Sequence, residues 1–315
     1  MHYRPLGKSG LLVSVVGLGC NNFGRRLNVE QTRSVVDAAI DAGITLLDTA
    51  ETYGGAGRSE EFLGEVLEGR RDRVVLATKF GSQGGDMGYG PAAGAKGSRS
   101  YMRRAVEHSL RRLRTDYIDL YQIHTPDPVT PIEETLTALT ELVRAGLVRY
   151  IGHSNFSAAQ IATAAAAARE FTTVPFISAQ NHWSLLERHA ELEVVPTAVQ
   201  FGLGVLPYFP LANGLLTGKV RRGVPPAAGT RLADRSDYIT GKKLDKVEAL
   251  AGWADKYGRT LLEVAIGGLA ATAGCASVIA GATSPTQVKA NAAAAEWQPT
   301  QEELAEIDEI VPVLG

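Results

Sequence analysis

The chain has 315 residues, more than an average domain and close to the size of a large single-domain α/β fold. Hydrophobic residues make up 45% and charged residues 21% of the sequence, a balance that excludes a disordered or fibrous protein. The formal net charge of −2 excludes the basic surface typical of nucleic-acid-binding proteins, so we expect no nucleic-acid partner.

Short apolar segments rich in β-branched residues alternate with amphipathic segments along the chain. In chain order, the predicted strands are residues 15–18, 46–48, 74–78, 118–123, 150–154, 177–181, 204–208 and 277–280. The predicted helices are residues 29–42, 57–68, 99–113, 132–145, 158–169, 187–201, 242–257 and 285–294. Several strands are apolar at nearly every position, which is typical of parallel strands buried on both faces. Eight strand–helix units predict an α/β fold, a (β/α)8 TIM barrel, and we expect one domain over residues 1–315.

Four segments lie outside this repeat. Residues 2–13 predict an N-terminal β-hairpin across the barrel floor, and residues 302–310 predict a C-terminal helical extension. Insertions at residues 81–97 and 213–236 follow the third and seventh strands, on the face where such barrels bind substrates. The first insertion has seven glycines in seventeen residues and also carries Met87 and Tyr89. We expect it to be a lid that folds over the barrel mouth, with an idle surface loop as the alternative.

Two features bear on the cellular location. The apolar segment 11–20 is short for a signal peptide or membrane span and is interrupted by Ser14, Gly17 and Gly19, so it predicts a strand. Cys20 and Cys275 are far apart in the sequence, which indicates neither a disulfide framework nor a zinc site. We therefore expect a cytoplasmic protein with no membrane partner and no metal.

Ionisable side chains follow several predicted strands at their carboxyl ends. Asp48 ends its strand, Lys79 and His124 directly follow theirs, and Tyr53 lies five residues after Asp48. Taken singly, they could be a helix cap, a solvated strand end, a structural histidine and a loop aromatic. Because the strand ends of a barrel converge at one mouth, their joint placement favours a catalytic group.

These four residue types match the chemistry of carbonyl reduction. An ammonium beside a tyrosine lowers the pKa of the phenol, so we expect Lys79 to make Tyr53 a usable general acid. Asp48 would keep Lys79 charged, and His124 could donate a hydrogen bond to a substrate carbonyl oxygen. The hydride for such a reaction must come from a cofactor.

Seven spaced segments carry a resemblance to a known family. They are GITLLDTAETYGGAGRSEEFLG, VVLATKFG, RTDYIDLYQIHTPDP, YIGHSNFS, ISAQNHWSLLER, PYFPLANGLLTGK and IAGATSPTQVKAN. In order and over essentially the whole chain, they resemble the aldo-keto reductase family. The resemblance implies a (β/α)8 barrel that binds NADPH in extended form and reduces an aldehyde or ketone. Asp48, Tyr53, Lys79 and His124 occupy the positions of the catalytic tetrad, with Tyr53 as proton donor.

The resemblance also implies a cofactor site along the strand ends. Ser154, Asn155 and Gln180 would bind the nicotinamide carboxamide, and Tyr208 would stack on the nicotinamide ring. The remaining cofactor-binding residues are Gly19, Pro210, Leu211, Gly214, Gly218, Lys219, Arg231, Gly281, Thr283, Gln287 and Asn291. Many family members have Lys and Arg where this chain has Gly281 and Gln287. We therefore expect a preference for NADPH over NADH without the usual clamp on the 2′-phosphate.

The substrate pocket is less well defined by sequence. We expect its walls to include Asn21, Asn22, Phe23, Met87, Tyr89 and Trp183. Phe209 replaces a common serine of the family, and Thr125 follows His124 where Arg or Trp is common. The physiological substrate therefore cannot be inherited from the resemblance, and neither can the reaction direction or the oligomeric state.

Three functions remain open on the sequence. The first is an NADPH-dependent reductase of aldehydes or ketones. The second is a regulatory or redox-sensing NADPH-binding subunit of the same fold with little turnover, since one branch of the family serves as channel-associated subunits. The third is a barrel aldolase in which Lys79 forms a Schiff base.

Overall fold

The computed structural model describes residues 1–220, 222–227 and 230–313. A two-stranded antiparallel sheet contains β1 (Tyr3–Pro5) and β2 (Leu12–Ser14). The main sheet has eight parallel strands in the order β10-β3-β4-β5-β6-β7-β8-β9. These strands are β3 (Val16–Gly19), β4 (Leu46–Asp48), β5 (Val75–Phe80), β6 (Ile118–Ile123), β7 (Val148–Ser154), β8 (Ser178–Gln180), β9 (Gly204–Val205) and β10 (Val278–Gly281). The predicted (β/α)8 fold is confirmed.

The two edges of the main sheet approach each other and close the barrel. Parallel bridges join Val205 to Cys275 and Tyr208 to Ile279. The Ala276 amide donates to the Val205 carbonyl at 2.8 Å, and the Ile279 amide donates to the Pro207 carbonyl at 3.0 Å. All eight strand ends that carry candidate site residues are thereby held around one mouth.

Helices surround the barrel and follow its strands. They are α1 (Val29–Asp41), α2 (Arg58–Val66), α3 (Arg99–Leu113), α4 (Ile132–Arg144), α5 (Ala158–Glu170), α6 (Val194–Gln200), α7 (Gly241–Lys256), α8 (Leu261–Ala271), α9 (Pro285–Ala294) and α10 (Gln301–Ile310). Capping boxes at Asn28, Ser157, Thr260 and Thr300 satisfy the free amides at four helix starts. In the described ranges, no helix combines the length and hydrophobicity that crossing a bilayer would require.

The N-terminal hairpin lies against the ends of β8 and β9 opposite the mouth, as predicted. The Lys8 amide donates to the Gly202 carbonyl at 2.7 Å, just before β9. Gly7 has a φ of +59°, and a Cβ there would collide with the carbonyl oxygens of Gly202 and Ile177. The left-handed conformation and the close approach together require glycine at this position.

Two predicted elements differ from the structure, and one helix was not predicted. The sequence interpretation missed α8, in which most residues are buried, so it lacks the amphipathic pattern used to predict helices. Predicted helix 187–201 is instead a short 3₁₀ turn at His189–Glu191 followed by α6, because Pro196 fits only in the first turn of a helix. Predicted strand 204–208 ends at Val205, since Pro207 has no amide for the ladder.

Candidate active site

The parallel sheet brings the four ionisable residues together at the mouth. Asp48 ends β4, Lys79 is the fifth residue of β5, and His124 directly follows β6. Lys79 Nζ lies 2.6 Å from Asp48 Oδ2 and 3.4 Å from the Tyr53 hydroxyl oxygen. The rings of Tyr53 and His124 meet edge to face with their centroids 5.8 Å apart. Side chains up to 76 positions apart in the sequence thus form one cluster.

The Lys79–Asp48 ion pair is the buried base of this cluster. The Lys79 side chain is 0% exposed, and its ammonium also donates to the Thr49 carbonyl at 2.9 Å. Burial by itself lowers the pKa of Lys79, but Asp48 and Tyr53 more than compensate, and the net direction is upward. Lys79 therefore remains an ammonium at neutral pH.

Burial affects the pKa of the Tyr53 phenol more than the neighbouring Lys79 does. Burial raises the pKa of Tyr53, Lys79 lowers it, and the net direction is upward. The expectation that Lys79 would bring this pKa below its ordinary value is therefore wrong in net direction. The phenol is protonated at neutral pH, which is the form that a proton donor requires.

His124 is a neutral imidazole at the cavity wall. Burial, reinforced by the charge of Lys79, lowers the pKa of His124 to about 3. Its backbone amide donates to the Phe80 carbonyl at 2.7 Å, which holds the backbone of His124 at the end of β5, and its ring lies edge to face with Tyr53. A neutral imidazole can donate one hydrogen bond to a carbonyl oxygen without adding a charge to the site.

Two amide side chains from β6 and β8 reach across the barrel to the second oxygen of Asp48. Gln180 Nε2 donates to Asp48 Oδ1 at 2.9 Å, and Gln122 Nε2 donates to the same atom at 3.3 Å. Sequence interpretation missed Gln122, although an amide in the otherwise apolar end of β6 was an available signal. These donors give the buried Asp48 side chain hydrogen-bond partners beyond its contact with Lys79.

A cavity of about 1340 Å³ opens from this cluster along the strand ends. Asp48, Tyr53 and His124 line it, whereas Lys79 lies behind them. The walls contain every implied cofactor-binding residue except Gly218: Gly19, Ser154, Asn155, Gln180, Tyr208, Pro210, Leu211, Gly214, Lys219, Arg231, Gly281, Thr283, Gln287 and Asn291. Gly218 has a φ of +74° and ends the turn that precedes Lys219.

Asn155 connects His124 and Tyr208 in the cavity wall. It has a φ of +62°, a left-handed conformation that asparagine tolerates better than most residues. Its Nδ2 donates to the His124 carbonyl at 2.9 Å, and the Tyr208 hydroxyl donates to its Oδ1 at 2.8 Å. His182 stacks on Tyr208 with ring centroids 5.4 Å apart, so the tyrosine ring is fixed at the cavity wall.

The far end of the cavity lies at the start of α9. The Thr283 amide and hydroxyl both donate to Gln287 Oε1, at 2.7 and 3.1 Å. Among the described wall residues the Lys and Arg side chains are Arg25, Arg26, Lys219 and Arg231, and none belongs to α9. Sequence interpretation missed Arg25 and Arg26, although adjacent arginines after the first barrel strand were a visible signal.

These cations make the cavity suitable for an anionic dinucleotide. Burial and then the charges of Arg26 and Arg25 lower the pKa of Arg231, which shows that three guanidinium groups share one region. A Cβ on Gly19 would lie 3.2 Å from Ile279 Cγ2. Glycine at this position avoids that close contact in the cavity wall. A long cavity with clustered cations and small wall residues fits a dinucleotide with phosphate groups.

The residues expected to form the substrate pocket are divided by the structure. Asn21 and Asn22 line the cavity, where their Oδ1 atoms accept from Arg231 at 3.2 and 3.4 Å. Phe23, Met87, Tyr89 and Trp183 are absent from the described cavity walls. Phe23 and Trp183 are fully buried, Tyr89 is 8% exposed, and Met87 packs against the core.

A closed parallel barrel with an ion-paired lysine, a tyrosine and a neutral histidine at its mouth defines a class of barrel oxidoreductases. A profile of the aldo/keto reductase family matches residues 15–312, and the chain belongs to this family.

Comparison with curated proteins identifies relatives of similar length. The chain is 37% identical over 321 residues to "Uncharacterized oxidoreductase YrpG" of Bacillus subtilis (strain 168), covering 100% of this chain and 97% of that protein. It is 36% identical over 312 residues to "Probable voltage-gated potassium channel subunit beta" of Arabidopsis thaliana, covering 95% and 92%. A rice protein (Oryza sativa subsp. japonica) with the same name is 36% identical over 328 residues, covering 99% and 97%. The family and the relative named as an oxidoreductase support an oxidoreductase activity.

Proposed function

We propose that this protein is an NADPH-dependent reductase that converts an aldehyde or ketone into the corresponding alcohol, with Tyr53 as the proton donor. The observation that carries the proposal is the contact of Lys79 Nζ with both Asp48 and Tyr53 at one end of the long cavity. A buried ammonium beside a protonated phenol is the arrangement that proton donation to a developing alkoxide requires.

The residues of the cluster have separate tasks in this reaction. The nicotinamide, when bound, supplies the hydride that adds to the carbonyl carbon. Tyr53 donates its proton to the carbonyl oxygen, and Lys79 stabilises the phenolate that remains. Asp48 keeps Lys79 protonated, and His124 donates a hydrogen bond that orients the carbonyl. The hydride and the proton together complete the alcohol.

The residues along the cavity would hold the cofactor. Ser154, Asn155 and Gln180 offer amide and hydroxyl groups for the carboxamide, and Tyr208 offers a ring face for stacking. Lys219 and Arg231 would contact phosphate groups, and the start of α9 would receive the adenosine with its 2′-phosphate. Arg25, Arg26, Lys219 and Arg231, none of which lies in α9, would supply the positive charge for the phosphate groups that α9 does not provide.

NADPH oxidation tests the proposal directly. The near-ultraviolet absorbance of NADPH is followed with a panel of aliphatic aldehydes, aromatic aldehydes and ketones, for the wild-type protein and Tyr53→Phe. We expect turnover with part of the panel and its loss in the variant. Tight NADPH binding without turnover of any substrate would instead support the regulatory function that the names of the plant relatives indicate. Borohydride trapping of a substrate on Lys79 would support the aldolase alternative.

A further inference from the structure

Glu51 is a buried carboxylate that the proposed reaction does not use. It is 0% exposed and lies between Asp48 and Tyr53 in the sequence. Its Oε1 accepts from the Gly81 amide at 2.7 Å and from the Tyr101 hydroxyl at 3.0 Å, and its Oε2 accepts from the Tyr89 hydroxyl at 3.2 Å. Within the described ranges all three donors are neutral, and no cation forms an ion pair with it.

Glu51 joins the turn that carries Tyr53 to the strand end that carries Lys79. The Glu51 amide donates to the Lys79 carbonyl at 3.0 Å, while the Glu51 carboxylate accepts from Gly81 two residues later. The residue therefore holds the chain on both sides of Phe80. The Tyr53 amide, in turn, donates to the Ala50 carbonyl at 3.0 Å within the same turn.

The glycine-rich insertion reaches this carboxylate through Tyr89. The Tyr89 ring packs against Tyr101 with centroids 5.2 Å apart and against His108 at 5.0 Å. Arg104 Nη1 donates to the Tyr89 carbonyl at 2.8 Å, and Lys96 donates to the Ser82 and Gly85 carbonyls. The insertion is thus anchored in the core beside the mouth, with its aromatic residue on Glu51.

We propose that Glu51 is a positioning residue that fixes the Tyr53–Lys79 contact, and that the insertion serves catalysis through the Tyr89–Glu51 hydrogen bond. The inference rests on the proposed reductase function. Tyr53 and Lys79 are 3.4 Å apart, near the upper limit of a hydrogen bond, so a small shift of the turn breaks their contact. Loss of the Tyr89 hydroxyl would leave Glu51 Oε2 buried without a donor, and a shift of the turn towards another donor would relieve that cost.

This role differs from that of a lid in a measurable way. A lid contacts substrates directly, so its loss changes the order in which substrates are preferred. An anchor for Tyr53 acts on the proton donor that every substrate shares. Its loss therefore lowers kcat by a similar factor for all substrates while their ranking and the NADPH affinity remain.

The kinetic test uses Tyr89→Phe, which removes only the hydroxyl, and Glu51→Gln, with Tyr3→Phe as the matched control. The Tyr3 hydroxyl bonds the Gly43 carbonyl at the exposed hairpin, far from the mouth. We expect kcat to fall about tenfold in Glu51→Gln and about threefold in Tyr89→Phe, with an unchanged NADPH Kd and substrate ranking. A lower melting temperature with unchanged kcat would show a merely structural role, and a changed ranking would show a lid. Either result would overturn the inference.

A spectroscopic arm keeps the test independent of turnover. The proteins are labelled with ¹³Cζ-tyrosine, and their tyrosine chemical shifts are compared by NMR at neutral pH. The resonance that disappears in Tyr53→Phe belongs to Tyr53. Lys79→Met gives the chemical shift of Tyr53 without the neighbouring ammonium. We expect Glu51→Gln and Tyr89→Phe to move the Tyr53 resonance towards the Lys79→Met value, and Tyr3→Phe to leave it in place. If the wild-type protein turned over no substrate, the proposed function would fail while this arm still decided the inference. An unmoved resonance in both variants would overturn it.

Discussion

The Lys79–Asp48 pair offers the sharpest energetic prediction. Both side chains are almost fully buried, and their charged atoms are 2.6 Å apart. Removing one member of such a pair costs about 3–5 kcal/mol of stability, because the other charge remains buried without its partner. Asp48→Asn leaves the ammonium with the Thr49 carbonyl and the Tyr53 hydroxyl, so we place it at the upper end of that range. Lys79→Met leaves the carboxylate with the donors Gln122 and Gln180, so we place it at the lower end.

The double variant measures the interaction free energy between Asp48 and Lys79. Because no buried charge remains, Asp48→Asn with Lys79→Met should lose at least about 2 kcal/mol less than the sum of the single losses. Urea unfolding followed by circular dichroism measures the three variants, and kcat should fall no further in the double variant than in the worse single one. The exposed pair Arg33–Glu65, 3.5 Å apart, is the control, and its coupling should be below about 1 kcal/mol. Additive losses at Asp48 and Lys79 would refute the reasoning.

Three further predictions follow from the site and the core. Tyr53→Phe should lower kcat about 10²-fold or more and leave the NADPH Kd nearly unchanged, and stopped-flow and binding measurements check both values. NADPH should bind more tightly than NADH, and fluorescence titrations should show this preference shrinking with added salt, because Lys219 and Arg231 are screened; equal dissociation constants at low salt would contradict it. His153 has neither ring nitrogen paired among the described residues, and burial lowers its pKa to about 3. The pKa of histidine in the unfolded chain is ~6.5. The contribution of neutral His153 to the free energy of unfolding is therefore complete above that pH and is lost as the pH falls towards 3. The loss reaches about 3 kcal/mol at pH ~4.5. Acid unfolding of His153→Phe should lack this loss, and an unchanged pH profile would contradict the assignment.

The sequence predicted the barrel because the local pattern and the final environment agree. Strands such as β6 are apolar along most of their length, and the structure buries every residue of that strand. The candidate site residues at the strand ends could be predicted for a similar reason. A charged residue directly after a buried barrel strand most readily lies at the mouth of the barrel. Helix α8 was not visible, because a helix buried on most sides has no polar face to mark its period.

Other features depend on distances that no pattern contains. The pKa of Tyr53 reflects a balance between burial and Lys79, and only the fold shows that burial is the larger effect. Tyr89 was expected at the pocket because an aromatic residue in a glycine-rich insertion has no obvious partner nearby in the sequence. Its partner is Glu51, 38 positions earlier, which sequence interpretation did not single out.

The central claim is that a hydride from the bound cofactor and a proton from Tyr53 reduce a carbonyl group. The most direct measurement follows the label from NADPH that carries deuterium at both positions of nicotinamide carbon 4 into the product by NMR, using the best substrate of the panel. We expect the wild-type protein to form an alcohol with deuterium on the former carbonyl carbon, and Tyr53→Phe to form it about 10²-fold more slowly at unchanged NADPH binding. An alcohol without deuterium, or equal rates of labelled product from both proteins, would contradict the account.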